Sequence, residues 1–336
     1  MTARAGLSGP QRPRAVTGQP DTVPLLPAAT GPPEARAEPI LAIDGTGLLV
    51  RCSRAARHAG LHGPAGEPTG ALMMFISSLS RKIRLVQPSH VVVAWDGPDA
   101  TLWRRGQWLP YKAGTPDVHR LGGELDNAME FCGAAGIYQL CFHGFEADDV
   151  LAAISRAAMN MPEHPLLIAS DDQDLHQLAD EYPHHSVVIT GLTKDHLITE
   201  DDVRQQWGTS GWALPRLRAL AGDASDNIPG LPGVGPAKAL KMMTRAHWSW
   251  PPCEVVIKDP EQRRLAVIWR NVMDLVIPVR PLEETTGAEM FRPFRELSRW
   301  DPDSGQNALE LLDRYGMTQI AQLLRKGGLW KPAEGA

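Results

Sequence analysis

Three short apolar runs, each leading into an aspartate, constrain the fold of this chain more than any other feature. They are Ile40-Leu41-Ala42-Ile43 before Asp44, His90 to Trp95 before Asp96, and Leu166 to Ser170 before Asp171. Short and nearly continuous apolar runs are typical of strands that are buried on both faces. Amphipathic helical patterns separate the runs, so the sequence predicts an α/β fold with a parallel sheet and right-handed crossovers.

Acidic residues cluster where this sheet would carry a functional site. Sites in parallel sheets form at the carboxyl ends of the strands, so we expect acids at those ends to converge. Glu146 to Asp149 begin an apolar helix. Asp172 and Asp174 would point the same way in extended backbone, and Asp223 and Asp226 would share one face of a turn or helix. The candidate set is Asp44, Asp96, Glu146, Asp148, Asp149, Asp172, Asp174, Asp223 and Asp226.

Such a density of like charge requires neutralising cations. All-oxygen ligands favour Mg²⁺, with Mn²⁺ as a substitute, over zinc. Two such ions about 3.5 to 4 Å apart polarise a phosphodiester, generate hydroxide from water and stabilise the leaving oxygen. A single aspartate after a strand is more often a turn former or helix cap, and only the joint pattern predicts phosphodiester hydrolysis.

A glycine-rich turn precedes a predicted helix in the C-terminal half. Gly233-Val234-Gly235 leads into Pro236, which suits the first position of a helix. Backbone N–H groups at such a helix start bind anions, and Lys238 and Lys241 would add positive charge. The arrangement resembles a helix-hairpin-helix phosphate clamp, although a simple turn is the alternative reading.

A second basic segment lies between Asp96 and Glu146 and mixes cations with aromatic rings. Its members are Trp103, Arg104, Arg105, Tyr111, Lys112 and Arg120. Such a mixture can stack on bases and contact the phosphates of a single strand, but a solvated helix face has a similar composition. Arg51, Arg54 and Arg57 leave the same choice open, between a phosphate-facing stripe and an ordinary surface.

Composition excludes several classes of protein. The chain is 43% hydrophobic and 22% charged, as in ordinary globular proteins, and its net charge of -5 gives no overall basic signal for nucleic acid. No apolar run approaches the roughly 20 residues of a membrane helix. Four cysteines without C-x-x-C spacing predict neither a zinc site nor a disulfide framework, which favours a cytoplasmic location.

Six motifs together resemble the 5'-nuclease superfamily. This group contains flap endonucleases, 5'-3' exonucleases, the N-terminal domain of bacterial DNA polymerase I and stand-alone phage enzymes. The motifs are Ile43-Asp44-Gly45, Trp95-Asp96-Gly97, Tyr111-Lys112-Ala113, Phe145 to Leu151, Ser170 to Leu175, and Gly222 to Gly230. They occur in family order, and the resemblance covers about residues 39–325.

The resemblance implies a PIN-like parallel sheet flanked by helices, a helical arch and a C-terminal helix-three-turn-helix DNA-binding subdomain. The implied domains are a disordered tail at 1–38, a nuclease domain at 39–200 with the arch at about 97–125, a helical DNA-binding subdomain at 201–325, and a tail at 326–336. Residues 1–38 are rich in Pro, Ala and Arg, which also fits a start codon assigned too far upstream.

The resemblance also implies roles for individual residues. Six acids would be ligands of the metal ions, directly or through water, namely Asp44, Asp96, Glu146, Asp148, Asp149 and Asp172. Asp174, Asp223 and Asp226 would complete the second metal position. Lys112 would contact the scissile phosphate from the arch, with Arg104 nearby in a similar role.

The turn Gly233-Val234-Gly235 would grip duplex DNA, and in the family its carbonyls often hold a K⁺ ion. The implied partners are DNA with a free 5' end or flap and a separate DNA polymerase, with the chain itself a monomer. Ala113-Gly114-Thr115-Pro116 follows the Tyr-Lys pair where the family often has a basic residue, which weakens the expected grip of the arch.

Two alternatives stay open from the sequence. A non-catalytic protein that binds DNA junctions would keep the hairpin without assembling two metal ions. A ribonuclease of the related PIN-like fold would not need the segment from Gly233 to Lys238.

Overall fold

The structure is a computed structural model that describes residues 39–326. Gaps in that description fall at 58–59, 65, 67, 115–120, 160–163, 183–184, 193–194, 253–255 and 279–304. The tail predicted at 1–38, the last ten residues of the chain and part of the predicted arch therefore lie outside the described residues.

A mostly parallel sheet forms the centre of the molecule, as the apolar runs predict. Its strands are β1 (Ile40–Asp44), β2 (His90–Asp96), β3 (Tyr138–Phe142), β4 (Leu166–Ala169), β5 (Asp180–Tyr182), β6 (His185–Thr190) and β7 (Leu197–Ile198). The order is β3-β2-β1-β4-β6-β5, and β7 pairs with β6. Strands β1, β2, β3, β4 and β6 run parallel, while β5 and β7 are antiparallel to β6.

Helices cover both faces of the sheet. They are α1 (Gly45–Ala56), α2 (Gly70–Val86), α3 (Leu102–Gln107), α4 (Gly123–Ala134), α5 (Ala147–Ala158), α6 (Glu200–Trp207), α7 (Leu214–Ala221), α8 (Pro236–Arg245), α9 (Pro260–Met273), α10 (Gln306–Arg314) and α11 (Thr318–Lys326). One apolar core joins the sheet to α1, α2, α4, α10 and α11, and the other joins it to α5, α7, α8 and α9. Successive residues of β1 alternate between the two cores, as a strand buried on both faces must.

The sequence predicts two helix starts, with Thr199 as the N-cap of a helix over Glu200 to Trp207 and Pro236 as a first helical residue, and the structure contains both. The Thr199 side chain accepts a hydrogen bond from the backbone of Asp202 and starts α6. Pro236 occupies the first position of α8. The apolar pattern of the sequence predicts a helix over Arg263 to Asp274, and α9 starts three residues earlier, because the Asp259 side chain caps it.

The sequence pattern also predicts one C-terminal helix over Asn307 to Leu324, and this prediction is wrong as a single element. The structure contains two helices there, α10 and α11, separated by a turn at Gly316. Gly316 has φ +68°, a left-handed conformation that ends a helix and that glycine adopts without steric cost.

In the described part of the chain, none of the helices combines the length and the apolar character that a membrane crossing requires.

Candidate active site

The ends of two neighbouring strands carry the first acids of the site. Asp44 ends β1, where its carboxylate accepts hydrogen bonds from the Gly47 backbone at 2.7 Å and the Ser170 hydroxyl at 2.8 Å. Asp96 ends β2 and accepts from the Ala147 backbone N–H at 2.7 Å. This last bond attaches the start of α5 to the same sheet edge, which brings the acids of the Glu146 segment beside those of β1 and β2.

These buried acids raise one another's pKa. Burial and the charge of Glu146 raise the pKa of Asp96 to about 7. Burial, reinforced by the charge of Asp172, raises the pKa of Asp44 to about 6 despite its hydrogen bonds. Burial and the charges of Asp172 and Asp44 hold the pKa of Asp148 well above its ordinary value. Since charges act on one another only at short range in this way, the acids of several elements share one neighbourhood.

Glu146 is the point where the basic segment meets the acids. One of its oxygens accepts from Arg104 at 2.7 Å and from the Tyr111 hydroxyl at 2.8 Å, and the other accepts from Lys112 Nζ at 2.5 Å. Burial alone would raise the pKa of Glu146, but the charges of Lys112 and Arg104 outweigh it and lower the pKa. Glu146 is therefore ionised and held by three donors.

Asp149 is held by the same arginine. Arg104 donates to both of its carboxylate oxygens, at 2.7 and 2.5 Å, and donates through Nε to the Val272 carbonyl at 2.9 Å. The side chains of Arg104 and Asp149 are 2% and 0% exposed. A metal ion or a phosphate could reach these two groups only if the ion pair opened, so their roles as ligand and phosphate contact stay predictions.

Tyr111 and Lys112 also face inward. Tyr111 is 3% exposed, so its ring is turned away from solvent in this conformation and its contact with DNA stays a prediction. The Lys112 side chain is 27% exposed. Burial alone would lower the pKa of Lys112, but the charge of Glu146 outweighs it and raises the pKa, so the ammonium group stays charged.

The other acids gather around an arginine that sequence reasoning did not identify. Arg218, on α7, forms ion pairs with Asp174 and with Asp223, the latter at 3.2 Å. Burial alone would raise the pKa of Asp223, but hydrogen bonds from Ser225 and Arg218 lower it. The available signal was the position of Arg218 on the helix that leads into the loop of Asp223 and Asp226.

The backbone is extended at Asp172, as expected, but the expected extended backbone at Asp174 is wrong. Asp172 caps a short 3-10 helix over Gln173–Leu178, and its Oδ1 accepts from the backbone N–H of Asp174 at 2.8 Å. The two side chains therefore leave a helical turn, and Asp174 turns toward Arg218. Asp226 lies near Glu146, and burial together with the charges of Glu146 and Asp223 raises its pKa to about 6.

The acids gathered at this edge of the sheet form what we call the acidic pocket, and their oxygen atoms suit hard divalent cations. Asp44, Asp96, Asp148, Asp172 and Asp226 have pKa values raised mainly by burial, with neighbouring acids adding to the effect. Divalent cations bound by oxygen ligands relieve such repulsion. Over the residues described, no three Asp, Glu, His or Cys side chains are arranged closely enough to hold one ion, so binding requires the carboxylates to turn.

The glycine turn and the cations of α8 lie together on the surface. Gly233 has φ +68°, and its carbonyl accepts from Lys238 Nζ at 3.3 Å. Val234 and Gly235 complete the turn before α8, and Lys238 and Lys241 are both exposed. Whether this turn binds DNA or K⁺ stays a prediction.

Arg51 lies beside the acidic pocket, although the sequence left its role open. It forms an ion pair of 2.5 Å with Asp171, whose other oxygen accepts from the Leu192 backbone at 3.3 Å. Both carboxylate oxygens of Asp171 are therefore engaged in these contacts, which fix the backbone next to Asp172.

One half of the chain matches the profile of a known protein family. The profile of the family described as 5'-3' exonuclease, N-terminal resolvase-like domain, matches residues 39–208. A 5'-3' exonuclease of Bacillus subtilis is 30% identical over 208 residues, which are 61% of this chain and 69% of that protein. DNA polymerase I of Mycobacterium tuberculosis is 30% identical over 294 residues, or 83% of this chain, yet the chain spans only 31% of the polymerase.

Solved structures share the fold. A 5'-exonuclease of bacteriophage T5 with divalent zinc ions bound aligns with a TM-score of 0.59 and 17% identity, over 76% of this chain and 97% of that one. A flap endonuclease of the same phage, in a complex with DNA and metal ions, aligns with a TM-score of 0.58 and 16% identity, over 82% and 99%. At this level of identity the likeness concerns the fold alone.

Proposed function

Because this chain belongs to the 5'-3' exonuclease family, we propose that it hydrolyses DNA phosphodiester bonds near free 5' ends or at flap junctions. The observation that carries the proposal is the meeting of Asp44, Asp96, Glu146 and Lys112 at one edge of the sheet. The ammonium group of Lys112 stays charged beside these carboxylates and could therefore bind a phosphate group of the substrate. The names of the relatives, which include 5'-3' exonucleases, support the same reaction.

The proposal includes two Mg²⁺ ions, for which Mn²⁺ can substitute. Asp44, Asp96, Asp148 and Asp172 would hold them, with Asp226 and, after their ion pairs open, Glu146, Asp149, Asp174 and Asp223. When bound, the ions would polarise the phosphodiester and stabilise the charge that develops on the leaving oxygen. The phage structures with bound metal ions support divalent metal use in this fold.

The chain's own cations would bind and orient the substrate. Lys112 Nζ is charged and would stabilise negative charge on the scissile phosphate once it leaves Glu146. Lys238 and Lys241, with the backbone N–H groups at the start of α8, would bind the phosphates of the duplex, and K⁺ would occupy the carbonyls of the Gly233 turn. The proposal further places a monomeric enzyme in the cytoplasm beside a separate DNA polymerase.

Cleavage of a 5'-flapped duplex tests the proposal directly. We expect cleavage with Mg²⁺ and none with EDTA. Asp172→Ala should abolish cleavage while DNA binding, measured by fluorescence anisotropy in Ca²⁺, stays within about twofold of wild type. Asp201→Ala is the matched control, because Asp201 is an exposed acid on α6 and should leave cleavage unchanged.

The alternatives predict different outcomes in the same assay. A wild-type protein that binds the flap tightly and never cuts it, with any divalent ion, would be a junction-binding protein. Cleavage of RNA with no cleavage of DNA would identify a ribonuclease. Either result would overturn the proposal.

A further inference from the structure

The segment that carries Lys112 is attached to a loop more than a hundred residues away in the chain. The attached segment is Trp108 to Ala113, which we call the lysine turn. Its partner is the loop from Asp223 to Ile228, which we call the acidic loop. The side-chain amide of Asn227 donates to the carbonyls of Pro110, at 3.1 Å, and Ala113, at 3.0 Å.

Two further hydrogen bonds connect the same segments in the opposite direction. The Trp108 indole N–H donates to the Asn227 carbonyl at 3.0 Å, and the Lys112 backbone N–H donates to the Asp226 carbonyl at 3.3 Å. Asn227 therefore takes part through its side chain and its backbone. The two carbonyls that accept from its amide lie on either side of Tyr111 and Lys112, so the amide bridges the turn.

Backbone conformation shows why this bridge matters. Lys112 has φ +46° and Asn227 has φ +55°. Left-handed backbone is uncommon outside glycine, although asparagine adopts it more readily than most residues. A lysine holds such a conformation only when its surroundings enforce it. The left-handed turn at Lys112 is part of the geometry that sends Tyr111 and Lys112 together onto Glu146.

We propose that Asn227 is a positioning residue that holds the backbone of the lysine turn against the acidic loop and so keeps Lys112 beside the acids of the site. The proposal rests on the function proposed above, because Lys112 is taken as the group that acts on the phosphate. Asparagine suits this place since its amide supplies two N–H donors for two carbonyls. The acidic loop and the lysine turn would then form one structural unit. The position of Lys112 would therefore depend on the conformation of the loop that carries Asp223 and Asp226.

Asn227→Gly is the variant that isolates the side chain. Glycine accepts φ +55° without strain, and Asn227 is exposed, so the change removes the two donors without leaving a cavity. Ala224→Gly is the matched control, because it adds the same backbone freedom to the acidic loop and removes no side-chain hydrogen bond. A second variant, Asn227→Asp, keeps the size of the side chain but removes its N–H donors.

Hydrogen–deuterium exchange measures the attachment without any cleavage. In Asn227→Gly and Asn227→Asp, we expect the peptide that covers residues 108–114 to exchange at least about tenfold faster, while peptides of α2 keep their wild-type rates. Ala224→Gly should change the 108–114 peptide by less than about threefold. Wild-type exchange of this peptide in Asn227→Gly would overturn the proposal, whatever the protein does to DNA.

Cleavage then tests the link to Lys112. Single-turnover cleavage by Asn227→Gly should fall about tenfold or more with duplex affinity unchanged, and the same change made in Lys112→Ala should cause little further loss, because both act through one group. If Asn227→Gly lowered the cleavage rate of Lys112→Ala by the same factor as it lowers the wild-type rate, Asn227 would act independently of Lys112. That result would overturn the positioning role. A wild-type protein that cuts no DNA would instead disprove the proposed function and leave the exchange result to decide the attachment.

Discussion

Arg104 and Asp149 form a buried ion pair with two hydrogen bonds, 2.7 and 2.5 Å long, between the basic segment and the start of α5. The same guanidinium contacts Glu146 and the carbonyl of Val272 on α9. It therefore joins three parts of the chain at the base of the acidic pocket. An arginine enclosed in this way neutralises two of the acids internally, which leaves the remaining carboxylates to repel one another.

Removal of Arg104 should destabilise the whole protein. Arg104→Ala would leave Asp149 buried without its counter-charge and would remove one of the two cations that pair with Glu146, which costs about 3–5 kcal/mol. The measurement is the free energy of unfolding from urea titration at pH 7. Arg84→Ala, an exposed arginine of α2, is the control and should change stability by less than about 0.5 kcal/mol. Equal small losses in both variants would contradict the structural role of Arg104.

The strand ends were predictable from the sequence, whereas the pairing of charges was not. The apolar runs determine strand direction, and parallel strands place Asp44 and Asp96 at one edge whatever the helices do. The partners of Asp149 and Asp174 are arginines that come from distant segments, and no local pattern specifies which side chains meet after packing.

The sequence already contained signals against two of the wrong predictions, the extended backbone at Asp174 and the single C-terminal helix. Asp172 is a residue type that favours helix starts, which indicated the short helical turn at Asp174. Gly316 interrupts the C-terminal helical pattern and marks the turn between α10 and α11. In both places a local capping or breaking preference outweighed the longer-range pattern.

Lys112 should matter for chemistry and little for binding. Its ammonium group is the cation placed to stabilise charge on the phosphate, so Lys112→Ala should slow single-turnover cleavage by about 100- to 1,000-fold. Lys241→Ala should instead weaken duplex binding and lower its salt dependence, with the cleavage rate at saturation nearly unchanged. The measurement is quenched-flow cleavage of a flapped duplex at saturating enzyme. A wild-type rate for Lys112→Ala would remove this lysine from the site.

Asp96 should destabilise the metal-free protein above neutral pH. Its pKa is raised from the ordinary 3.8 to about 7. At a pH between these two values, Asp96 carries a proton in the folded state but not in the unfolded state. Stability therefore falls as pH rises from about 4 through about 7 and stays low above it. Asp96→Asn removes this penalty and keeps an oxygen for the Ala147 N–H.

The gain from Asp96→Asn should thus be larger at pH 8 than at pH 5, by on the order of 2 kcal/mol, or roughly 4 to 8 °C in melting temperature. Melting curves in EDTA at the two pH values measure it, with Asp201→Asn as the control that shows no such difference. A melting temperature below wild type at pH 8 would mean that ionised Asp96 stabilises the fold.

Arg218 should compete with divalent cations for the acids around it. Without metal, Arg218 neutralises Asp174 and Asp223, so Arg218→Gln should lower the melting temperature in EDTA. The same change concentrates negative charge where an ion would bind, and the rise in melting temperature on adding Mg²⁺ should then exceed the wild-type rise by several degrees. Arg204→Gln, an exposed arginine of α6 paired with Glu200, is the control and should show the wild-type rise. A smaller Mg²⁺-dependent rise in Arg218→Gln than in wild type would contradict this prediction. It would mean that Arg218 helps to form the ion site and does not compete with the ion for Asp174 and Asp223.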